Sequence, residues 1–353
     1  MMPAMSGGAF AQMQAPAKIW VSRRRDGADA STESDPVTQR MLELQRDAGN
    51  AAVAQLVGQQ GDAAEAVPED AAAVTQAKAI FEQGAASYDR GQFGQAYDQF
   101  TRAYELSPRA GLLFSRAQSL RRLGGRRQEA IQLYQEYLDM GDSKRAAEAT
   151  LYIEELKTPE STGDLESDTA IGRAAFDAAA KAYERGDFGY AYDEFTKAYE
   201  LTKRPGLLFS RAQALRRMGG HREEAIALYG AYVTLGDGNR EAEANKYIQA
   251  LSTPESTGDL DKDIEISKSI FEKGAKLYGV GDYSHAYDEF TRSYELTERP
   301  TLLFSRAQAM RHIGGRREEA VALFQQYLDS GDTKRAADAT RLLDELKTKG
   351  AAK

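Results

Sequence analysis

The chain has 353 residues, of which 42% are hydrophobic and 28% charged, with a formal net charge of −8. That apolar content suffices for packed cores, while the acidic balance excludes a nucleic-acid binder acting through bulk charge. Cysteine is absent, which excludes disulfides and thiolate chemistry, and no run of about 18 apolar residues offers a membrane span.

In chain order, residues 1–38 are rich in Gly, Ala, Ser, Pro and Gln and read as a disordered tail. Ala9-Phe10-Ala11 before Gln12 resembles a leader cleavage site. No basic region precedes it, however, and Pro3, Gly7 and Gly8 interrupt the short apolar stretch, so a tail is expected rather than a cleaved leader. Residues 39–60 predict a short helical docking segment, and residues 61–72, with Pro68 and several acids, predict a linker.

From there the chain repeats. Phe-Ser-Arg-Ala-Gln begins at Phe114, Phe209 and Phe304, a constant spacing of 95 residues. A fixed long period marks a stack of one supersecondary unit. The modules are placed at 73–158, 168–253 and 263–348, with linkers at 159–167 and 254–262 and a tail at 349–353. The linkers share Thr-Pro-Glu-Ser-Thr-Gly-Asp-Leu, starting at Thr158 and Thr253, which predicts a defined geometry between modules rather than a loose tether.

Within module 1, Phe93, Ala96, Tyr97, Phe100, Ala103 and Tyr104 form an apolar stripe with helical period. Gly91 and Pro108 flank it as chain reversals. A further helix is expected over roughly 111–123, ending at Gly124-Gly125. Another carries Ala130, Leu133, Tyr134, Tyr137 and Leu138 and stops near Gly141. Asp142 is the expected N-cap of a fifth, which buries Ala146, Ala149, Ile153 and Leu156. The fold class is therefore all-α, with about five antiparallel helices per module.

The succession Gly84, Tyr88, Gly91, Phe93, Ala96, Phe100, Ala103, Leu106, Pro108 resembles the tetratricopeptide repeat, a helix–turn–helix of 34 residues. One period further on, Gly125, Ala130 and Tyr134 fall on the same pattern. Later the pattern breaks: Tyr137 stands where the family has a small residue, and Asp142 where it often has Pro. Each module thus looks like two tetratricopeptide units plus one extra helix. The resemblance implies an α-solenoid, a right-handed superhelix whose concave groove binds peptides or protein segments, and it implies no catalysis. Separately, Leu44-Gln45-Arg46-Asp47-Ala48-Gly49-Asn50-Ala51-Ala52-Val53 resembles a segment of bacterial proteins associated with extracellular contractile injection systems. On that likeness Leu44, Gln45, Arg46, Gly49, Asn50 and Val53 are candidate docking residues.

No constellation points to an enzyme. His221, His285 and His312 lack metal-ligand spacing, and Gly124-Gly125 with its copies lacks the sequence of a phosphate loop. Asp98, Asp193 and Asp288 read as carboxylates on a solvated helix flank. By analogy with the family's groove, the candidate protein-binding residues are Ser115, Arg116, Ser119 and Arg122 in module 1. Their counterparts are Ser210, Arg211 and Arg217 in module 2, and Ser305, Arg306 and His312 in module 3. These cations could grip carboxylates of an acidic peptide. The competing expectation pairs Arg116, Arg211 and Arg306 with Glu105, Glu200 and Glu295. Arg121, Arg216 and Arg311 are expected to bury their stems.

The sequence therefore predicts a non-enzymatic scaffold without cofactor or metal, bacterial and cytoplasmic, binding a protein or peptide, acidic or multivalent. Recruitment to an injection particle through the N-terminal segment and end-to-end self-assembly are the alternatives.

Overall fold

The computed structural model describes residues 71–236 and 238–347, all within one compact unit, Gln59–Lys353. The expected tails, the docking segment and most of the first linker lie outside the described residues. Fifteen α-helices make up the described part. Module 1 contains α1 (Ala71–Asp89), α2 (Phe93–Leu106), α3 (Ala110–Leu123), α4 (Arg127–Asp139) and α5 (Ala146–Leu156). Module 2 contains α6 (Leu165–Arg185), α7 (Phe188–Thr202), α8 (Pro205–Met218), α9 (Arg222–Leu235) and α10 (Glu241–Leu251). Module 3 contains α11 (Leu260–Gly279), α12 (Tyr283–Thr297), α13 (Pro300–Ile313), α14 (Arg317–Asp329) and α15 (Ala336–Lys347).

Within a module each helix packs on the next, forming successive antiparallel hairpins. Small residues set the spacing. Ala96, Ala103, Ala117, Ala130 and Ala149 are fully buried, which lets paired helices approach closely. Aromatic rings fill the space left between them. Phe114 meets Tyr134 and Tyr137 edge-on, each at 5.3 Å between centroids, and Tyr152 lies beyond at 6.3 Å. Phe209 repeats this with Tyr229, Tyr232 and Tyr247.

The break in the repeat pattern has a structural cause. Tyr137, 1% exposed, accepts the Arg145 N–H at 2.9 Å, and so docks the helix that a plain tetratricopeptide unit lacks. Tyr232 and Tyr327 do the same for Arg240 (3.1 Å) and Arg335 (2.8 Å). Asp142 is not the N-cap of α5. That position belongs to Arg145, while Asp142 Oδ1 accepts the Lys144 N–H at 2.9 Å inside the preceding turn.

The modules do not continue as an open superhelix. The Gly124-Gly125 turn of module 1 packs on the start of α7, and Asp193 Oδ2 accepts the Gly125 N–H at 2.9 Å. Asp288 accepts the Gly220 N–H at 2.9 Å in the same way, and Asp98 accepts that of Gly315 at 2.9 Å, across 217 residues. One seam therefore relates module 1 to 2, 2 to 3, and 3 back to 1. An operation that returns to its start after three steps is a threefold rotation without translation. The solenoid closes into a ring.

Arginine–glutamate pairs repeat around the ring: Arg127–Glu200 at 3.1 Å, Arg222–Glu295, and Arg317–Glu105 with Nη1–Oε2 at 3.1 Å. These glutamates do not pair with Arg116, Arg211 and Arg306. Backbone approach at the seams excludes larger side chains. A Cβ on Gly94 would lie 2.7 Å from the Ile313 carbonyl oxygen, and one on Gly314, at φ 72°, would lie 2.6 Å from the Gly94 carbonyl carbon.

Candidate functional site

The candidate groove residues separate into three environments. Ser119 is fully buried, its hydroxyl donating to the Ser115 carbonyl at 2.8 Å, so it belongs to the core. Arg116 turns toward α2, where its Nε donates to Thr101 Oγ1 at 3.1 Å and its guanidinium lies 5.6 and 5.3 Å from the rings of Tyr97 and Tyr104. Arg211 reaches the Tyr192 hydroxyl at 3.3 Å, and Arg306 reaches Thr291 at 3.1 Å. Cation–π contact and hydroxyl acceptors replace the glutamate partner expected for these three.

Ser115, Gln118 and Arg122 share the opposite face of α3, as positions three and seven residues apart do. Here the structure gathers a cluster from three helices. The Tyr88 hydroxyl of α1 donates to Gln118 Oε1 at 3.2 Å, and Gln118 Nε2 donates to Glu148 of α5 at 3.4 Å. Glu148 also receives both Arg145 Nε and Nη2 at 2.7 Å. Arg121 lies 4.0 Å over the Tyr152 ring and pairs with Glu155 at 3.4 Å, so its stem is buried and its charge matched. Arg122 is exposed, 5.2 Å over the Phe93 ring, and among the described residues it has no carboxylate partner. Burial pushes the Tyr88 hydroxyl above its usual range, against the pull of Arg122, Arg121 and Arg145.

Module 2 repeats the face. Arg217 lies 5.1 Å over Phe188, also exposed and without a carboxylate partner among the described residues, and Arg216 lies 4.2 Å over Tyr247. The Tyr183 hydroxyl is again raised by burial and opposed by Arg217, Arg216 and Arg240. Ser210 donates to the Gly206 carbonyl at 3.4 Å, as Ser115 does to Gly111 at 3.0 Å. Module 3 differs in charge. His312 stacks on Tyr283 at 4.5 Å, and burial with the neighbouring Arg311 lowers its pKa, which favours the neutral ring where the other modules carry an arginine. Ser305 occupies the equivalent half-buried position.

Sequence reasoning missed Tyr88, Gln118 and Arg145. The signal for Arg145 was present: an arginine recurs at 145, 240 and 335, eight residues after Tyr137, Tyr232 and Tyr327. It also misread Asp98, Asp193 and Asp288, which sit in the seams rather than on a solvated flank. Burial raises them to about 7, 6 and 6 respectively, opposed by the glycine N–H each accepts. Among the described residues no group of three metal-ligating side chains occurs, and no helix is long and apolar enough to cross a membrane.

No family model and no curated relative match the sequence. Among solved structures, the chain is similar to the TPR2AB domain of yeast Sti1 in a pHSP90 complex, at 14% identity and a TM-score of 0.22. That match covers 79% of this chain and 99% of the other. The P58(IPK) TPR domain matches at 16% identity and a TM-score of 0.22, over 77% of this chain and 99% of that one. The fold assignment, an all-α protein of TPR-like helical hairpins, stands on the helices and packing described above.

Proposed function

We propose that the protein is a non-enzymatic scaffold that holds acidic peptide segments on the Tyr–Gln–Arg faces of its modules. The observation that carries this reading is the pair Arg122 and Arg217: two exposed guanidinium groups at equivalent positions, each over an aromatic ring, without a carboxylate partner among the described residues. A carboxylate arriving there gains a charge-assisted hydrogen bond without breaking an ion pair. Tyr88 and Gln118 supply further polar groups beside it. Titration calorimetry with a peptide ending in consecutive glutamates tests this. The double variant Arg122→Ala/Arg217→Ala is expected to weaken binding about tenfold or more. Unchanged affinity would sink the assignment.

Recruitment to a contractile injection particle through residues 44–53 is a second reading, carried by the Leu-Gln-Arg-Asp-Ala-Gly-Asn-Ala-Ala-Val segment alone. Particle co-purification of the wild type but not of an Arg46→Ala/Asn50→Ala variant supports it, and equal recovery removes it. End-to-end self-assembly is disfavoured, because closure occupies both ends of the solenoid within one chain.

A further inference from the structure

In modules 1 and 2 a glutamate of the last helix ties the local polar groups together. Glu148 takes Arg145 Nε and Nη2 at 2.7 Å, the Tyr152 hydroxyl at 2.8 Å and Gln118 Nε2 at 3.4 Å. Glu243 takes Arg240 Nε and the Tyr247 hydroxyl, both at 2.9 Å. The same two tyrosines lay their rings against the half-buried guanidinium groups of Arg121 and Arg216, at 4.0 and 4.2 Å. Two modules of three thus supply this cluster with a carboxylate of their own.

Module 3 lacks both parts. Asp338, one methylene shorter, stands where the others have Glu148 and Glu243, and Leu342 stands where they have Tyr152 and Tyr247. Asp338 pairs with Arg335 at 3.4 Å and Arg341 at 4.0 Å. Arg335 lies further out, 61% exposed against 19% for Arg145 and 32% for Arg240. It stands 5.4 Å from the Phe304 ring, where its counterparts lie 3.6 Å from Phe114 and Phe209. Glu345, at the position of Glu155, is taken by Arg341.

Three polar groups are left without the partners their counterparts have. Arg311 has no carboxylate and no aromatic ring against it among the described residues, and its guanidinium donates to His312 Nε2 at 3.2 Å. Neither Gln308 nor the Tyr278 hydroxyl makes a hydrogen bond among the described residues. All three side chains are half-buried, so solvent still reaches them. A half-buried guanidinium without a counter-charge is costly, and an arriving carboxylate relieves that cost.

We propose that module 3 binds a glutamate side chain of a partner protein between Gln308 and Arg311. The two sibling modules specify the ligand chemistry, since the equivalent cluster in them accepts one glutamate carboxylate from a guanidinium, a phenol and, in module 1, an amide. The site extends the acidic-partner reading to the module whose face has no exposed arginine at this position. It uses neither Arg122 nor Arg217.

Side-chain NMR of the full chain reads the site directly, at the Gln308 amide and the Arg311 Nε–H. The probes are two acetylated, amidated peptides, Gly-Ser-Glu-Ser-Gly and its glutamine counterpart. The glutamate peptide is expected to shift both signals along one saturation curve, and the glutamine peptide to leave them in place. Asp338→Glu/Leu342→Tyr rebuilds the pair the other modules carry, and should weaken binding about tenfold or more while raising the melting temperature. The reverse exchange in module 1, Glu148→Asp/Tyr152→Leu, added to Arg122→Ala/Arg217→Ala, should bring the same response to the Gln118 amide. No shift at Gln308 and Arg311, equal shifts with both peptides, or undiminished binding by the rebuilt module overturns the site. The readout is confined to module 3, so its failure leaves the Arg122 and Arg217 reading to its own calorimetric test.

Discussion

The seam between modules 1 and 2 and the seam between modules 3 and 1 carry the same chemistry under different covalent conditions. Each has an aspartate that accepts a glycine N–H at 2.9 Å and an arginine–glutamate pair. The first seam is also spanned by chain. There Thr158 bonds Glu200 and Arg127, and Ser161 and Thr162, just ahead of α6, bond Asp168 in its first turn at 2.5 and 2.8 Å. Lys197 anchors to the Glu155 carbonyl at 2.6 Å. The closing seam joins the two ends of the repeat array across more than 200 residues, and its formation bears the entropy of that closure. Equal contacts with unequal tethering make it the seam that opens first.

The comparison breaks most sharply at Gly314. A Gly314→Val substitution places a β-branched side chain at positive φ against the Gly94 backbone, at a cost of about 3 kcal/mol or more. Helical circular dichroism should persist while the radius of gyration from small-angle scattering rises. The same change at Gly124 should destabilise without lengthening the particle, because the linker still holds modules 1 and 2 together.

Reversing one charge is expected to act next. Glu105→Arg sets two cations together at the closing seam and should cost on the order of 1–3 kcal/mol. Glu105→Arg/Arg317→Glu should recover most of it in a denaturant titration. No recovery would mean that the pair does not hold the seam.

Acidity separates seams from linkers. Asp98, Asp193 and Asp288 bind their protons more tightly in the folded chain than in the unfolded one. Their contribution to stability is full below about 3.8 and is lost as pH rises through about 6 to 7. Asp168 and Asp263 shift the other way, lowered first by the Ser161 and Ser256 hydroxyls, so their contribution is present above 3.8 and lost as pH falls through their folded values. Asp98→Asn should therefore raise the melting temperature most at pH 8, less at pH 5, and least below about pH 3.8. A rise of equal size throughout would contradict a titrating seam.

The smallest effect belongs to the core. Tyr134 is fully buried with no hydrogen-bond partner for its hydroxyl among the described residues, and module 3 already has Phe324 at that position. Tyr134→Phe should change stability by less than about 1 kcal/mol, with any shift toward greater stability.

The helices and their cores were legible in the sequence because both depend on local periodicity. Phe93 to Tyr104 announces α2, and three copies of one pattern repeat the announcement. Closure was not legible. A repeat states that one operation recurs, but not whether that operation includes a translation along an axis. Only the partners of Asp98 and Glu105, 217 and 212 residues away, decide it. For the same reason Glu105 looked like a mate for the nearby Arg116, when Arg317 takes it and Arg116 rests on Tyr97 and Tyr104. In the candidate site, Arg122 and Arg217 were named by analogy with the tetratricopeptide groove, and the structure leaves both exposed. Tyr88 and Arg145 were not, since they reach the face from α1 and from the N-cap of α5.

Closure itself is tested most directly by amide hydrogen exchange at Gly315, followed by NMR beside Gly125 and Gly220. The ring predicts that all three amides are protected, each by its aspartate, with Gly315 the least protected because its seam opens first, and that Asp98→Ala exposes Gly315 alone. Fast exchange at Gly315 in the wild type, with Gly125 and Gly220 protected, would mean an open chain of three modules.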